Sequence, residues 1–193
     1  MATLLSSDRR TQELSRRDWL EAGQARLRRD GLKGLKLRAL AGDLNVSTGS
    51  FYHHFADLDA FEQALADYFA QGQIAEVIDR PEVLALPPLE RIRELIAFVL
   101  RNELSRLALA MRAWGESSAR AKAAVRAHDK AITRYLRAAL GELGFDEEEA
   151  AVRAYALIAF GHAHIHSDLP IERLREGLIR LTCLTPSVAE AQR

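Results

Sequence analysis

Apolar positions repeat at helical spacing along nearly the whole chain. Trp19, Leu20, Gly23 and Leu27 share one face of a first helix. Ser15-Arg16-Arg17-Asp18, just ahead of them, has the capping-box spacing, with Asp18 placed to reach back to the first unbonded amides. Gly31 and Gly34 then interrupt the pattern. Leu37, Leu40, Ala41 and Leu44 fall at i, i+3, i+4 and i+7, a short amphipathic helix, and Asn45 follows where a left-handed terminal residue would sit. A third helix is predicted over Thr48 to Phe55. Ser47 is a good N-cap, Val46 and Phe51 are spaced as a hydrophobic staple, and Phe51 and Phe55 lie on one face. A fourth helix runs from about Asp57 into the seventies with Leu58, Phe61, Leu65 and Phe69 inward, and Arg80-Pro81 ends it or follows soon after.

The remainder stays helical. Leu89, Ile92, Leu95, Ile96 and Val99 form a stripe from about Pro87, and Leu104, Leu107 and Met111 a shorter one before Gly115. Ala121, Val125, His128, Ile132, Tyr135 and Ala139 make a longer stripe closed by Gly141 and Gly144. Two last helices are predicted, roughly 146–166 and 171–184. The first carries a small-residue face of Ala150, Ala151, Ala154, Ile158, Gly161 and Ile165, the second Ile171, Leu174, Leu178 and Leu181. The fold class is therefore all-α. A composition rich in Ala, Leu, Arg and Glu and poor in β-branched residues agrees with it.

Charge changes the picture more than composition does. The net formal charge is zero, yet residues 1–55 hold ten Lys and Arg against six Asp and Glu, so a basic N-terminal piece rides on an acidic body. The one Cys, Cys183, cannot form an internal disulfide. No apolar run approaches the roughly 18 residues of a membrane span. The chain reads as cytoplasmic, with no membrane partner.

Two short helices joined by a tight turn, Leu37 to Leu44 and then Thr48 to Phe55, make a helix-turn-helix. With Phe51 and Phe55 turned inward, Thr48, Ser50, Tyr52, His53 and His54 are left to meet phosphate oxygens and base edges, and Gly49 lets the backbone approach without a Cβ in the way. A bland alternative remains, in which the hydroxyls cap and the rings coat a surface.

The stretch LRALAGDLNVSTGSFYHHFADLDAFEQAL, residues 37–65, resembles the DNA-binding signature of the TetR family of bacterial transcriptional regulators. In that family an apolar-Ala-x-x-x-Gly-Val-Ser run leads to Gly-x-apolar-Tyr-x-His-Phe. The likeness extends back through RRDWLEAGQARLRRDGLKGL, residues 16–35. It implies a helix-turn-helix DNA-binding domain over 1–56 joined to a helical ligand-binding and dimerisation domain over 57–193. It also implies that Arg38 opens the second helix near the DNA backbone, that Thr48, Gly49 and Ser50 meet bases or phosphates, and that Tyr52 and His54 hold phosphates. Three positions depart from the pattern. Leu58 stands where the family usually has a phosphate-pairing Lys, Lys36 where it has a hydroxyl cap, and Asn45 where it has Gly. Asn tolerates the left-handed conformation. Losing one phosphate contact lowers the salt slope of binding by about 0.9, with Arg16, Arg17 and Lys36 the residues placed to compensate.

One reading unit this short covers too few base pairs for specificity against a genome, so a homodimer on a palindromic operator is expected, joined through the last two helices. The resemblance also implies a small-molecule pocket between reader and interface. Phe98, Met111, Trp114, Tyr135 and Phe160 are its candidate lining and Arg112 or His128 its polar anchors. The expected function is a transcriptional repressor released from its operator by that ligand. Two alternatives stay open: a metal-binding helical protein using His162 and His166, since His164 points about 200° away on a helix, and a helix-turn-helix protein that binds a protein partner. No nucleophile and base pattern stands out, and neither an enzyme nor a cofactor is expected.

Overall fold

A computed structural model describes residues 14–71, 74–162 and 168–184, and among these every regular element is a helix. The N-terminal head consists of α1 (Arg16–Asp30), α2 (Leu37–Asp43) and α3 (Thr48–Phe51), and α4 (Leu58–Gln71) leads from it into the body. There follow α5 (Ala75–Ile78), α6 (Pro81–Leu84), α7 (Pro88–Arg101), α8 (Leu104–Gly115), α9 (Ala119–Glu142), α10 (Glu147–His162) and α11 (Ile171–Cys183).

Local chemistry explains the head. The Ser15 hydroxyl accepts from the Asp18 amide while the Asp18 carboxylate accepts from the Ser15 amide at 2.7 Å, a complete capping box. Where α1 crosses α4, a Cβ on Gly23 would lie 2.7 Å from Phe61 Cζ, so the close approach of the two helices requires glycine there. At the end of α2 the Val46 amide bonds the Ala41 carbonyl and the Asn45 amide that of Gly42, with Asn45 left-handed at φ 54. That is a Schellman motif, and it forms the turn of the helix-turn-helix. Arg26 locks the corner from outside, donating to both oxygens of Asp43 and to the Ala39 carbonyl.

Two elements differ from their predicted form. α3 ends at Phe51, and turns with amide bonds from His54 and Phe55 to the Phe51 carbonyl carry the chain on to Phe55. A glycine inside the helix and the run Tyr52-His53-His54-Phe55, all of low helix propensity, do not support further turns. Ser47 occupies the N-cap position, but its hydroxyl makes no capping bond. α4 begins over Asp57, whose carboxylate accepts from the Ala60 amide at 2.7 Å, and this leaves Leu58 partly exposed in the first turn rather than inward. It stops at Gln71, and Arg80-Pro81 lies between α5 and α6 with Pro81 opening the latter.

The body is built around α9. Its stripe Ala121, Val125, His128, Ile132, Tyr135 and Ala139 is buried along its length, against α4, α7, α8 and α10. The core runs without a break from the head into the body, and the boundary expected at 56/57 falls in the turn before α4. The last two helices are only half covered. On α10, Ala150, Ala154 and Leu157 are buried while Val152 and Tyr155 are 65% and 74% exposed. On α11, Ile179, Thr182 and Cys183 face in, whereas Leu181 is 79% exposed. Ile165, His164 and His166 lie outside the described residues. No described helix is long and apolar enough to cross a membrane.

Candidate nucleic-acid interface and body cavity

A buried aromatic cluster fixes α3. Phe51 is fully buried, its ring centroid 5.3 Å from that of Trp19, 5.2 Å from Phe55 and 5.6 Å from Phe61. With that edge held inward, the outer edge of the helix-turn-helix presents Thr48, Gly49, Tyr52 and His53 exposed, and Ser50 and His54 half-buried. Tyr52 is 60% exposed, its ring edge-on to Phe51. Lys36 and Arg38 are exposed at the start of α2. At the start of α1 the Arg16 guanidinium lies 5.0 Å over the Phe55 ring. Arg17 is exposed but engaged, bonded to Glu21 at 2.7 Å and Glu76 at 3.1 Å, and the Glu21 hydrogen bond, followed by the fields of Tyr68 and Glu76, raises its pKa. All ten residues read from the sequence as DNA contacts thus lie on one small head. Arg17 would exchange existing carboxylate partners for a phosphate.

The body encloses a cavity of about 560 Å³ between α7, α8, α9, α10 and α11. Of the residues expected to line it, His128 and Phe160 do. Met111 and Trp114 are core residues away from its walls, Phe98 packs against the core elsewhere, and Tyr135 donates its hydroxyl to the Arg91 carbonyl. Arg112 stands behind the wall. It clamps Asp129 with two bonds of 2.8 Å and bonds His162 Nε2 at 3.0 Å. A guanidinium only donates, so His162 Nε2 accepts and carries no proton. The actual walls are aliphatic, among them Leu95, Ile96, Leu104, Ile132, Leu157 and Leu174. Such residues show the same helical stripe whether they line a cavity or fill a core, and no sequence signal separates the two.

His128 is the buried polar group of this wall. Its ring stacks on Phe69 of α4 at 4.3 Å, and burial pushes its pKa from 6.5 down to about 4. Asp129 pulls the other way, while His162 and Arg112 add to the depression. The unfolded chain therefore takes up a proton below about 6.5 that the folded chain refuses until about 4, so stability falls as pH drops through that window. The loss is on the order of 3 kcal/mol. Urea denaturation at stepped pH should show that the His128→Leu variant loses this part of the slope.

Comparison with known proteins speaks to the fold. No protein-family model matches the chain, and no curated protein matches it in sequence. Solved structures do match. A TetR transcriptional regulator from Legionella pneumophila superposes with a TM-score of 0.68 at 17% identity, over 88% of this chain and 95% of that one. Reduced NemR of E. coli gives 0.64 at 19% identity over 89% and 98%. AibR, in complex with isovaleryl coenzyme A and operator DNA, gives 0.61 at 15% identity over 87% of this chain and 97% of that one.

This chain has the TetR-family fold. In that fold the exposed α2 and α3 form the N-terminal helix-turn-helix, and the cavity lies in the C-terminal helical part. Joints between the two are visible in side-chain detail. Arg28 of α1 donates to the Asn102 carbonyl at 2.9 Å, next to Glu103, which is left-handed at φ 50 and lines the cavity. Arg120 of α9 holds Asp59 of α4 at 2.7 Å.

Proposed function

We propose that this protein is a homodimeric DNA-binding transcriptional repressor, released from a palindromic operator by a small molecule held in the body cavity. The observation that carries the reading is the head: a helix-turn-helix with its inner edge fixed by Phe51 and its outer edge bearing hydroxyl, ring and glycine surface beside exposed Arg and Lys. The uncovered apolar faces of α10 and α11 support a second copy as partner, since Val152, Tyr155 and Leu181 would otherwise remain in water. Coupling has two physical routes. A ligand between α7 and α9 presses on the Glu103 junction tied to α1 through Arg28, and on His128, which stacks against the end of α4. A ligand that prefers one spacing of the heads lowers operator affinity by that preference and no more.

Fluorescence anisotropy of the purified protein against duplexes from its own upstream region, at two salt concentrations, tests the reading. Specific, salt-sensitive binding is expected, and indifference to every duplex would favour a protein-binding role for the head. Tyr52→Phe, which removes a phosphate-facing hydroxyl, should weaken binding to all duplexes alike by about 1 kcal/mol. Ser50→Ala should instead change which bases are preferred, as read by competition with substituted duplexes. Leu58→Lys restores a cation at the first turn of α4 and should steepen the salt slope by about 0.9. The metal-binding alternative has less to stand on. A metal at His162 Nε2 would have to displace the Arg112 guanidinium, and no described group of three or more His, Cys, Asp or Glu is arranged to hold an ion.

A further inference from the structure

The face of α11 that lines the cavity breaks its own pattern. Ile171, Leu174, Arg175 and Leu178 fall at i, i+3, i+4 and i+7, one helical stripe, and all four line the cavity. Three are aliphatic and one is a cation. The walls from α7, α9 and α10 add Leu95, Val99, Ile132, Leu136 and Leu157, so the charge sits in a mainly hydrocarbon lining.

Among the described lining residues the other charged side chains are Glu103 and Arg106, 3.5 Å apart and both mostly in water. They offset each other. Arg175 has no such match. Its side chain is 30% exposed, and its ion pair with Glu176 spans 3.7 Å, beyond hydrogen-bond reach. The same Glu176 oxygen, Oε1, already accepts from Arg93 at 2.6 Å. The Arg175 guanidinium, a planar fork of five N–H donors, makes no hydrogen bond among the described residues. His128, with its pKa at about 4, brings no charge to this lining at neutral pH. One unmatched and largely covered positive charge therefore borders an aliphatic space of about 560 Å³. A carboxylate matches the fork with two parallel hydrogen bonds, and the pairing strengthens where water is partly excluded. A hydroxyl leaves the charge unmatched, and an ammonium is repelled by it.

We propose, resting on the ligand-responsive reading above, that the cavity takes a hydrocarbon-bodied carboxylate, its head paired with Arg175 and its chain laid along the aliphatic walls. The class is a medium- to long-chain carboxylic acid in its ionised form, in preference to the corresponding alcohol or amine. Both halves of the molecule are needed, the head for the guanidinium and the chain for the walls.

Calorimetric titration of the full chain with decanoate, 1-decanol, decylammonium and acetate at about pH 7.5, where all three ions are fully charged, tests the class. Decanoate should bind about tenfold or more tightly than decanol or decylammonium. Acetate, a head without a chain, should show no measurable binding. Arg175→Gln should lower decanoate affinity about tenfold or more and leave decanol affinity as it was, while Arg175→Lys, a cation without the fork, should fall between Gln and the parent. Arg106→Gln, at an exposed and already paired site, should change decanoate affinity by less than about threefold. Decanol serves as the check that each variant keeps its cavity. Decanol or decylammonium binding as tightly as decanoate, decanoate affinity unchanged in Arg175→Gln, decanol affinity falling together with it in that variant, or no binding by any probe overturns the proposal. DNA affinity measured in parallel separates the two readings. A protein that binds its operator but no probe keeps the regulator and loses this ligand class; one that binds decanoate but no DNA does the reverse.

Discussion

Phe51→Ala should remove about 3–5 kcal/mol of stability and abolish operator binding, the largest effect expected of a single substitution in the head. Phe51 is fully buried and touches Trp19, Phe55 and Phe61, which come from α1, the α3 to α4 turn and α4. Truncation leaves a cavity at the one point where these elements meet. The loss is a large share of the 5–15 kcal/mol that holds a domain together. α3 is a single helical turn and cannot stand without that support. Urea denaturation followed by Trp fluorescence gives the stability, and anisotropy on an operator duplex the affinity. The neighbouring Tyr52→Phe should leave stability within about 0.5 kcal/mol, because Tyr52 is 60% exposed. Equal damage from both substitutions would mean that the inner and outer edges of α3 are not divided as described.

Leu181→Glu should keep the proposed dimer from forming, leave a folded monomer and weaken binding to a palindromic duplex by about 100-fold or more. Leu181 is 79% exposed on α11, so a carboxylate there costs the single chain little. In a dimer built on the α10 and α11 faces, the same carboxylate enters an apolar contact from each copy. Two like charges then lose their water with no partner. Sedimentation velocity reports the assembly, and circular dichroism checks that helix content is kept. Tyr155→Glu, 74% exposed on α10, should act the same way, whereas Lys122→Glu, on the exposed side of α9, should not.

Much of the head was legible because its determinants are local. Ser15 and Asp18, three residues apart, set the start of α1, and Asn45 closes α2 by adopting a conformation few other residues accept. Helical spacing alone also predicted the α9 stripe, every member of which is buried. What depends on distant partners was harder to read. Phe51 and Phe55 share the spacing of one helix face, yet Gly49 and the weak helix formers Tyr52 to Phe55 end α3 early, and it is through turns that both rings reach one aromatic cluster. Phe98, Met111, Trp114 and Tyr135 look like cavity residues because they are large and inward, yet large inward side chains fill space, and the cavity opens where Leu and Ile leave it. The left-handed Glu103 had no sequence signal at all, since Asn102 beside it is the residue that chemistry would choose. On α10 the small-residue stripe Ala150 and Ala154 packs inward, so the face left for a partner is the neighbouring one with Val152 and Tyr155.

The central claim is that two copies of the head read two matching half-sites at a fixed separation. Repeated selection of bound duplexes from a random-sequence pool, at near-physiological salt, tests it most directly. The account predicts enrichment of an inverted repeat with half-sites one or two helical turns apart, lost with Leu181→Glu. A pool that remains random, or one that yields a single half-site with affinity indifferent to Leu181→Glu, would contradict it.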